Sequence, residues 1–226
     1  MTIEFFTTAS SKPAVTHLAV AISRHLANKD KVLWLVPGGS AIGVAVDISK
    51  MLDAEHIEAI ENLTVSLTDE RYGPAGHPGS NWQKLKAAGF AIKDAKLQSV
   101  LKNKSLEQTA KDYAQAIEKD LHDADYRVAL TGIGADGHTF GIKPNSPATN
   151  SQELVSAYAW DDYVRLTLTP SAIERLDEIV VYAIGKEKHE VLDELDESIP
   201  PKEQPVQYLK TVRKITVYND YKGTPL

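Results

Sequence analysis

The sequence predicts an α/β fold in which a mostly parallel sheet is covered by helices on both faces. Three observations carry this expectation. Short apolar runs of strand length alternate along the chain with segments whose apolar residues recur at helical spacing, the order of βαβ units. No stretch rich in Pro, Gly or Ser is long enough to divide the chain, so residues 1–226 are expected to form a single domain. The 226 residues, 42% of them hydrophobic and 25% charged, also suffice for a full core, since at this mass roughly 70% of the chain's surface is buried on folding.

The elements follow in order. Between Pro13 and Ala27, Val15, Leu18, Ala19, Ala21, Ile22 and Leu26 lie at helical spacing, and Val32 to Val36 then reads as a buried strand stopped by Pro37-Gly38-Gly39. Ala41 to Leu52, a helix, is apolar on most sides, and Leu63 to Leu67 is strand-like. Ser105 to His122 carries helical spacing through Leu106, Ala110, Tyr113, Ala114, Ile117 and Leu121. A strand from Arg127 to Thr131 runs into a Gly-rich turn, and Val164 to Leu168 alternates as a strand. Ile179 to Ile184 is a buried strand, Lys186 to Leu195 a helix and Ile215 to Tyr218 a last strand.

Composition excludes several kinds of function. With no cysteine there is no disulfide framework, thiolate metal cluster or cysteine nucleophile. The 25 Lys and Arg against 31 Asp and Glu give a net charge of -6, so no overall positive field holds nucleic acid or an anionic membrane, and neither is expected as a partner. The first residues lack a basic start followed by a long apolar run, and no later stretch reaches the ~18 apolar residues of a membrane span. A soluble cytoplasmic protein, ordered throughout and working as a monomer or homodimer, is expected.

In parallel sheets of this kind ligands sit outside the carboxyl ends of the strands, and three loops at such positions carry chemically useful residues. In Pro37-Gly38-Gly39-Ser40, backbone amides, a hydroxyl and the start of a helix make a place for a phosphate, Ser40 serving also as a cap; taken alone the loop reads equally as a capped tight turn. It is not a Walker loop, because no Gly-Lys-Ser/Thr closes it. Thr68-Asp69-Glu70-Arg71-Tyr72 sets two carboxylates and a guanidinium at a strand end, where they can position substrate hydroxyls, hold a water or orient another group, or form an ordinary charged surface turn.

The third loop, Gly132-Ile133-Gly134-Ala135-Asp136-Gly137-His138-Thr139, is the most informative. Gly132, Gly134 and Gly137 match the dinucleotide fingerprint G-x-G-x-x-G, but Gly141, Pro144 and Pro147 interrupt the helix that fingerprint needs. A His beside an Asp in a glycine turn looks instead like a positioned general base, because imidazole titrates near working pH. His17, His25, His56, His122 and His189 read as surface or boundary residues of helical segments, and His77 as a residue near the rim of the site. Arg165 and Lys188, the latter on the first turn of a helix, are cations able to neutralise a bound phosphate. No paired spacing of His, Asp and Glu suggests a metal, so neither metal nor organic cofactor is expected unless Asp69, Glu70, His77 and His138 converge from their separate loops.

The ordered set Gly38-Gly39-Ser40, Asp69-Glu70-Arg71, Ser80-Asn81, Gly132-x-Gly134-x-Asp136-Gly137-His138-Thr139 and Gly185-x-x-Lys188 resembles the 6-phosphogluconolactonase family, within the superfamily shared with glucosamine-6-phosphate isomerase/deaminase, over about residues 10–219. The resemblance implies a Rossmann-like three-layer αβα fold and hydrolysis of the sugar phosphate 6-phosphogluconolactone to 6-phosphogluconate, a step of the oxidative pentose phosphate pathway. It implies that His138, oriented by Asp136, activates water, that Gly39, Ser40, Arg165 and Lys188 hold the phosphate, and that Asp69 and Arg71 also face substrate. Ala41-Ile42 and Phe140 depart from the Thr-Pro and the small residue usual in the family. Isomerase relatives place a Glu five residues after the histidine, where this chain has Lys143, which favours the lactonase. Asp69 keeps open the isomerase/deaminase alternative, and a non-catalytic sugar-phosphate-binding domain is the third.

Overall fold

The structure, a computed structural model, describes residues 2–54, 57–161 and 163–226; His56 lies outside them. The first half contains β1 (Thr2–Thr7), α1 (Lys12–Ala27), β2 (Val32–Val36), α2 (Ile42–Ala54), β3 (Leu63–Leu67), β4 (Asp69–Arg71), α3 (Asn81–Ala87), β5 (Lys96–Leu97) and α4 (Leu106–Asp123). The second contains β6 (Tyr126–Thr131), β7 (Val155–Trp160), β8 (Tyr163–Leu168), α5 (Pro170–Ile173), β9 (Glu178–Ala183), α6 (His189–Glu194), β10 (Lys214–Asn219) and β11 (Thr224–Pro225). The main sheet runs β11-β1-β10-β9-β6-β2-β3-β5, and every pairing in it is parallel.

Burial explains the pattern. All five residues of β2, Val-Leu-Trp-Leu-Val, are buried, the continuous apolar run of a strand covered on both faces. Helix α1 turns Ala14, Val15, Leu18, Ala19, Ile22 and Leu26 inward, and each fully buried Leu or Ile contributes roughly 1.5–3 kcal/mol. Right-handed crossovers put α1 to α3, which link strands advancing toward β5, on one face, and α4 to α6, which link strands returning toward β10, on the other. The contacts of α1 with α2 and of α2 with α3 agree.

The direction of winding reverses between β2, whose connection leads to β3, and β6, whose connection leads to β9. A crevice opens there at the carboxyl ends of the strands.

One segment departs from the sequence reading. The segment Asp69-Glu70-Arg71 is a strand, not a loop: it pairs antiparallel with β8, which pairs with β7 in a second, three-stranded sheet. Charged residues are poor strand formers, so the pairing is imposed by tertiary context. His17, read as a surface or boundary residue, is a half-buried boundary residue of α1 with several partners. Its Nδ1 lies 2.9 Å from Tyr218 OH and its Nε2 2.8 Å from Glu178 Oε1, in a network that also holds Tyr126 and Lys214.

Candidate active site

Loops from the carboxyl ends of β2, β3 and β6 meet β4 and β8 around a cleft lined by Gly39, Ser40, Asp69, Arg71, His138 and Arg165, with Asn81, Thr139 and Phe140 between them. The cleft is partly open to solvent, with polar and apolar groups both in its wall.

After β2, Gly39 takes φ 67° and begins a 3-10 turn, Gly39–Ala41, that leads into α2. The first amides of such a turn have no partner within it and carry the positive end of the helix dipole. Ser40 does not cap the helix as the sequence suggested; its hydroxyl has no hydrogen-bond partner among the described residues and faces Gly132 on the neighbouring loop.

Alternation along β4 decides which charges reach the cleft. Asp69 and Arg71 face it, while Glu70 points the other way and is fully buried. Glu70 accepts from its own neighbour's amide, Arg71 N, at 2.7 Å, from Ser80 Oγ at 2.8 Å, and from Asn81 N and Trp82 N at 2.7 and 3.2 Å, so it anchors the start of α3 and does not position substrate. Burial pushes its pKa up against these hydrogen bonds, each of which favours the carboxylate. Asp69 is held by Thr68 Oγ1 at 3.2 Å and by Asn81 Nδ2 at 3.2 Å.

Arg71 and Arg165 are directly opposite one another on β4 and β8. Neither has a carboxylate partner among the described residues, and the Nε atom of each is buried without a hydrogen bond. Like charges placed so are unfavourable unless an anion lies between them. Arg71 is steadied by stacking over the Tyr163 ring, 4.5 Å from its centroid.

On the loop after β6, the His138 imidazole lies over Gly134, where any side chain would meet it: a Cβ there would sit 2.0 Å from Nδ1. Nδ1 hydrogen-bonds Asp136 Oδ1, and Asp136 also accepts from the His138 amide at 3.2 Å. Burial opposes the Asp136 carboxylate, but its bonds to His138 and Lys143 outweigh this and hold its pKa well below the usual range. With the Nδ1 proton directed at the ionised Asp136, Lys143 Nζ, 3.0 Å from Nδ1, is a charge beside the ring and not a donor to it, and Nε2, which has no partner among the described residues, is the acceptor. No helix follows the loop; the chain turns back at residues 139–142.

Three predicted groups are not at the cleft surface. Lys188 follows β9 in a 3-10 turn, 8% exposed and without an acidic partner among the described residues, outside the lining. His77 bonds the carbonyl of Arg71 at 2.9 Å and is not among the cleft-lining residues. Since Glu70 and His77 turn away from His138, the four groups Asp69, Glu70, His77 and His138 do not converge, and no three His, Asp or Glu side chains among the described residues form a metal-sized cluster. Lys143, whose Nζ is 3.0 Å from Asp136 Oδ2 and 3.0 Å from His138 Nδ1, was marked in the sequence only by its spacing from the histidine.

Comparison with known proteins places this geometry. Residues 7–218 match the family model described as glucosamine-6-phosphate isomerases/6-phosphogluconolactonase. A 6-phosphogluconolactonase of Synechocystis is 28% identical over 158 residues, which cover 66% of this chain and 65% of that relative, just under two thirds of its length. One from Caulobacter vibrioides is 27% identical over 206 residues, covering 85% of this chain and 84% of the relative. The crystal structure of a 6-phosphogluconolactonase from Shewanella baltica superposes with a TM-score of 0.80 at 22% identity, covering 96% of this chain and 97% of that one.

Proposed function

The chain belongs to the glucosamine-6-phosphate isomerase/6-phosphogluconolactonase family, and we propose that it hydrolyses 6-phosphogluconolactone to 6-phosphogluconate. The observation that carries this reading is the Asp136–His138 pair in the wall of a cleft that also holds the guanidinium groups of Arg71 and Arg165, neither with a carboxylate partner among the described residues. In the proposed reaction Nε2 takes a proton from water as its oxygen attacks the lactone carbonyl. The tetrahedral intermediate then collapses, the bond to the ring oxygen breaks, and His138 returns the proton to that oxygen. The product acid ionises, so each turnover releases one proton to solution. Asp136 keeps the ring oriented and stabilises the imidazolium formed in between.

The phosphate is assigned to the amides of Gly39 and Ser40, the Ser40 hydroxyl and Arg165, with Lys188 kept as a further cation although it lies outside the cleft lining. Arg71 and the loop amides are placed to stabilise the developing oxyanion, and Asp69 to accept from a sugar hydroxyl. One domain spanning the chain is supported by a core cluster that runs from Ala14 to Tyr218. The same proposal covers a cytoplasmic enzyme acting on a small sugar phosphate as monomer or homodimer; no described helix is long and apolar enough to cross a membrane.

Proton release from freshly made 6-phosphogluconolactone, beside ammonia release from glucosamine 6-phosphate, tests the reading. Catalysed proton release without ammonia release is expected. Ammonia release alone would give Asp69 the leading role and overturn it.

A further inference from the structure

The turn after His138 fixes what stands opposite the imidazole. Ile142 N donates to the Thr139 carbonyl at 2.8 Å, these two residues form an antiparallel bridge, and both residues between them have positive φ, 55° at Phe140 and 84° at Gly141. That is the pattern of a two-residue type I′ connection. It is an unfavourable conformation for a residue as bulky as Phe140, and the surroundings enforce it. The Phe140 ring is buried, its carbonyl accepts from Thr167 Oγ1, and the Gly141 carbonyl accepts from Tyr158 OH. A two-residue turn sets the residue before its first strand position beside the residue after its last, so position 143 faces His138 whatever amino acid it holds. Lys143 is further fixed by its own amide, which donates to Tyr158 OH at 3.1 Å.

The Lys143 side chain is only 14% exposed. Its ammonium group closes a ring of three: Asp136 Oδ1 holds His138 Nδ1, Asp136 Oδ2 accepts from Lys143 Nζ, and Nζ is 3.0 Å from Nδ1. The two charges act on the imidazole in opposite senses. Asp136 favours the protonated ring, whereas Lys143 repels it and also neutralises part of the Asp136 charge. Asp69 and Arg71 on β4 and Arg165 on β8 face the same cleft. Lys202 and Glu203 are exposed on the segment that packs against the loop through Gln204, and Glu194 reaches the loop only through its bond to Gln204.

We propose that Lys143 is a positioning residue for His138: it locks the Asp136 carboxylate against Nδ1 and sets a positive charge beside the ring, which disfavours a second positive charge there and keeps Nε2 the bare nitrogen. The proposal rests on the hydrolytic reading above, in which His138 works as a base. It gives position 143 a role set by charge, and predicts an order along a series of side chains: Lys and Arg alike, then Met, then Glu.

The test is an NMR titration of the His138 ring protons, assigned by their loss in His138→Gln, in wild type, Lys143→Arg, Lys143→Met and Lys143→Glu, beside the pH profile of kcat/KM for the lactone. The expected midpoint rises in Lys143→Met, rises further in Lys143→Glu and stays near wild type in Lys143→Arg. The acid limb of kcat/KM moves in step. A residue that merely stiffened the turn would lower the melting temperature and leave the midpoint unmoved. Coincident midpoints across the series, or Arg behaving as Met does, overturn the proposal. Circular dichroism checks folding, and if Lys143→Met does not fold, Lys143→Gln against Lys143→Arg makes the same comparison. The titration needs no substrate, so it decides the role of Lys143 even if wild type fails to hydrolyse the lactone, a result that would instead overturn the proposed function.

Discussion

Replacing Asp136 by Asn separates the role of the carboxylate from its contribution to folding. In the wild type one carboxylate oxygen accepts from Nδ1 of His138 and the other from Lys143 Nζ at 3.0 Å. A carboxamide of the same shape has a single acceptor. The lysine ammonium, the stronger donor, takes that oxygen, and the amide NH₂ is turned toward Nδ1, which must then act as acceptor. The ring proton moves to Nε2, the atom that has to be bare. Loss of the base is expected to lower kcat/KM by roughly 10²- to 10⁴-fold, or about 3–5 kcal/mol of transition-state stabilisation. Stability should hardly change, because the Asp136 and His138 side chains are 46% and 35% exposed and exposed pairs contribute only ~0–1 kcal/mol. The assay is proton release from fresh lactone in weak buffer with spontaneous hydrolysis subtracted, beside a thermal melt. Because the two residues act as a unit, Asp136→Asn combined with His138→Ala should be no slower than His138→Ala alone. Activity within a few-fold of wild type in a folded Asp136→Asn protein, or additive losses in the double variant, would refute the assignment.

Further outcomes follow from other parts of the molecule. Arg165→Ala should raise KM for the phosphorylated lactone by ~10- to 100-fold, the value of a charge-assisted bond, and leave hydrolysis of unphosphorylated gluconolactone unchanged; equal effects on both substrates would remove Arg165 from the phosphate site. Lys188→Ala, outside the cleft lining, is expected to raise KM less. Glu70→Gln should cost about 1–3 kcal/mol in urea unfolding, since an NH₂ group would face the donors at the start of α3, with kcat of the folded enzyme little changed; lost activity at full stability would put Glu70 in the chemistry. At Glu178, burial raises the pKa, but bonds from His17, Lys214 and Tyr126 overcome this and lower it from 4.5 to about 2. The folded state therefore binds this proton less readily than the unfolded chain, so the stability Glu178 contributes is complete above pH ~4.5 and is lost as pH falls toward ~2. The slope of unfolding free energy against pH between 5 and 3 should be shallower in Glu178→Gln, and an unchanged slope would show that other carboxylates account for it.

Much of the fold was legible because its signal is local. The five central strands of the main sheet are short apolar runs and the long helices have one apolar stripe, so β2, β3, β6, β9 and β10 and helices α1, α2 and α4 follow from periodicity, whereas β1, β5 and β11 carry no such signal. The second sheet was not legible as a sheet. Val164 to Leu168 alternates visibly, but its partner Asp69-Glu70-Arg71 reads as charged and strand-averse, and only the distant chain of β8 makes it a strand. That pairing, in turn, makes Asp69 and Arg71 cleft residues and Glu70 a structural one. A sequence shows two adjacent carboxylates; it takes the strand's alternation to separate their roles.

The loop after β6 makes the same point about the site. Its glycines imitate a dinucleotide fingerprint, and the downstream Gly and Pro residues are enough to set that reading aside. The purpose of the glycines is nonetheless three-dimensional: Gly134 is bare because the imidazole lies across it. Asp136 and His138 were readable as a pair because two residues of separation within one turn bring them together whatever the rest of the chain does. Lys143 required knowledge that Phe140 and Gly141 both have positive φ, since only a two-residue turn converts a spacing of five into direct opposition. Phe140, which departs from the small residue usual in the family, is therefore a constraint on the base as well as a wall of the cleft: with its ring buried and its carbonyl bonded to Thr167, it holds the turn that sets an ammonium group against Asp136 and His138.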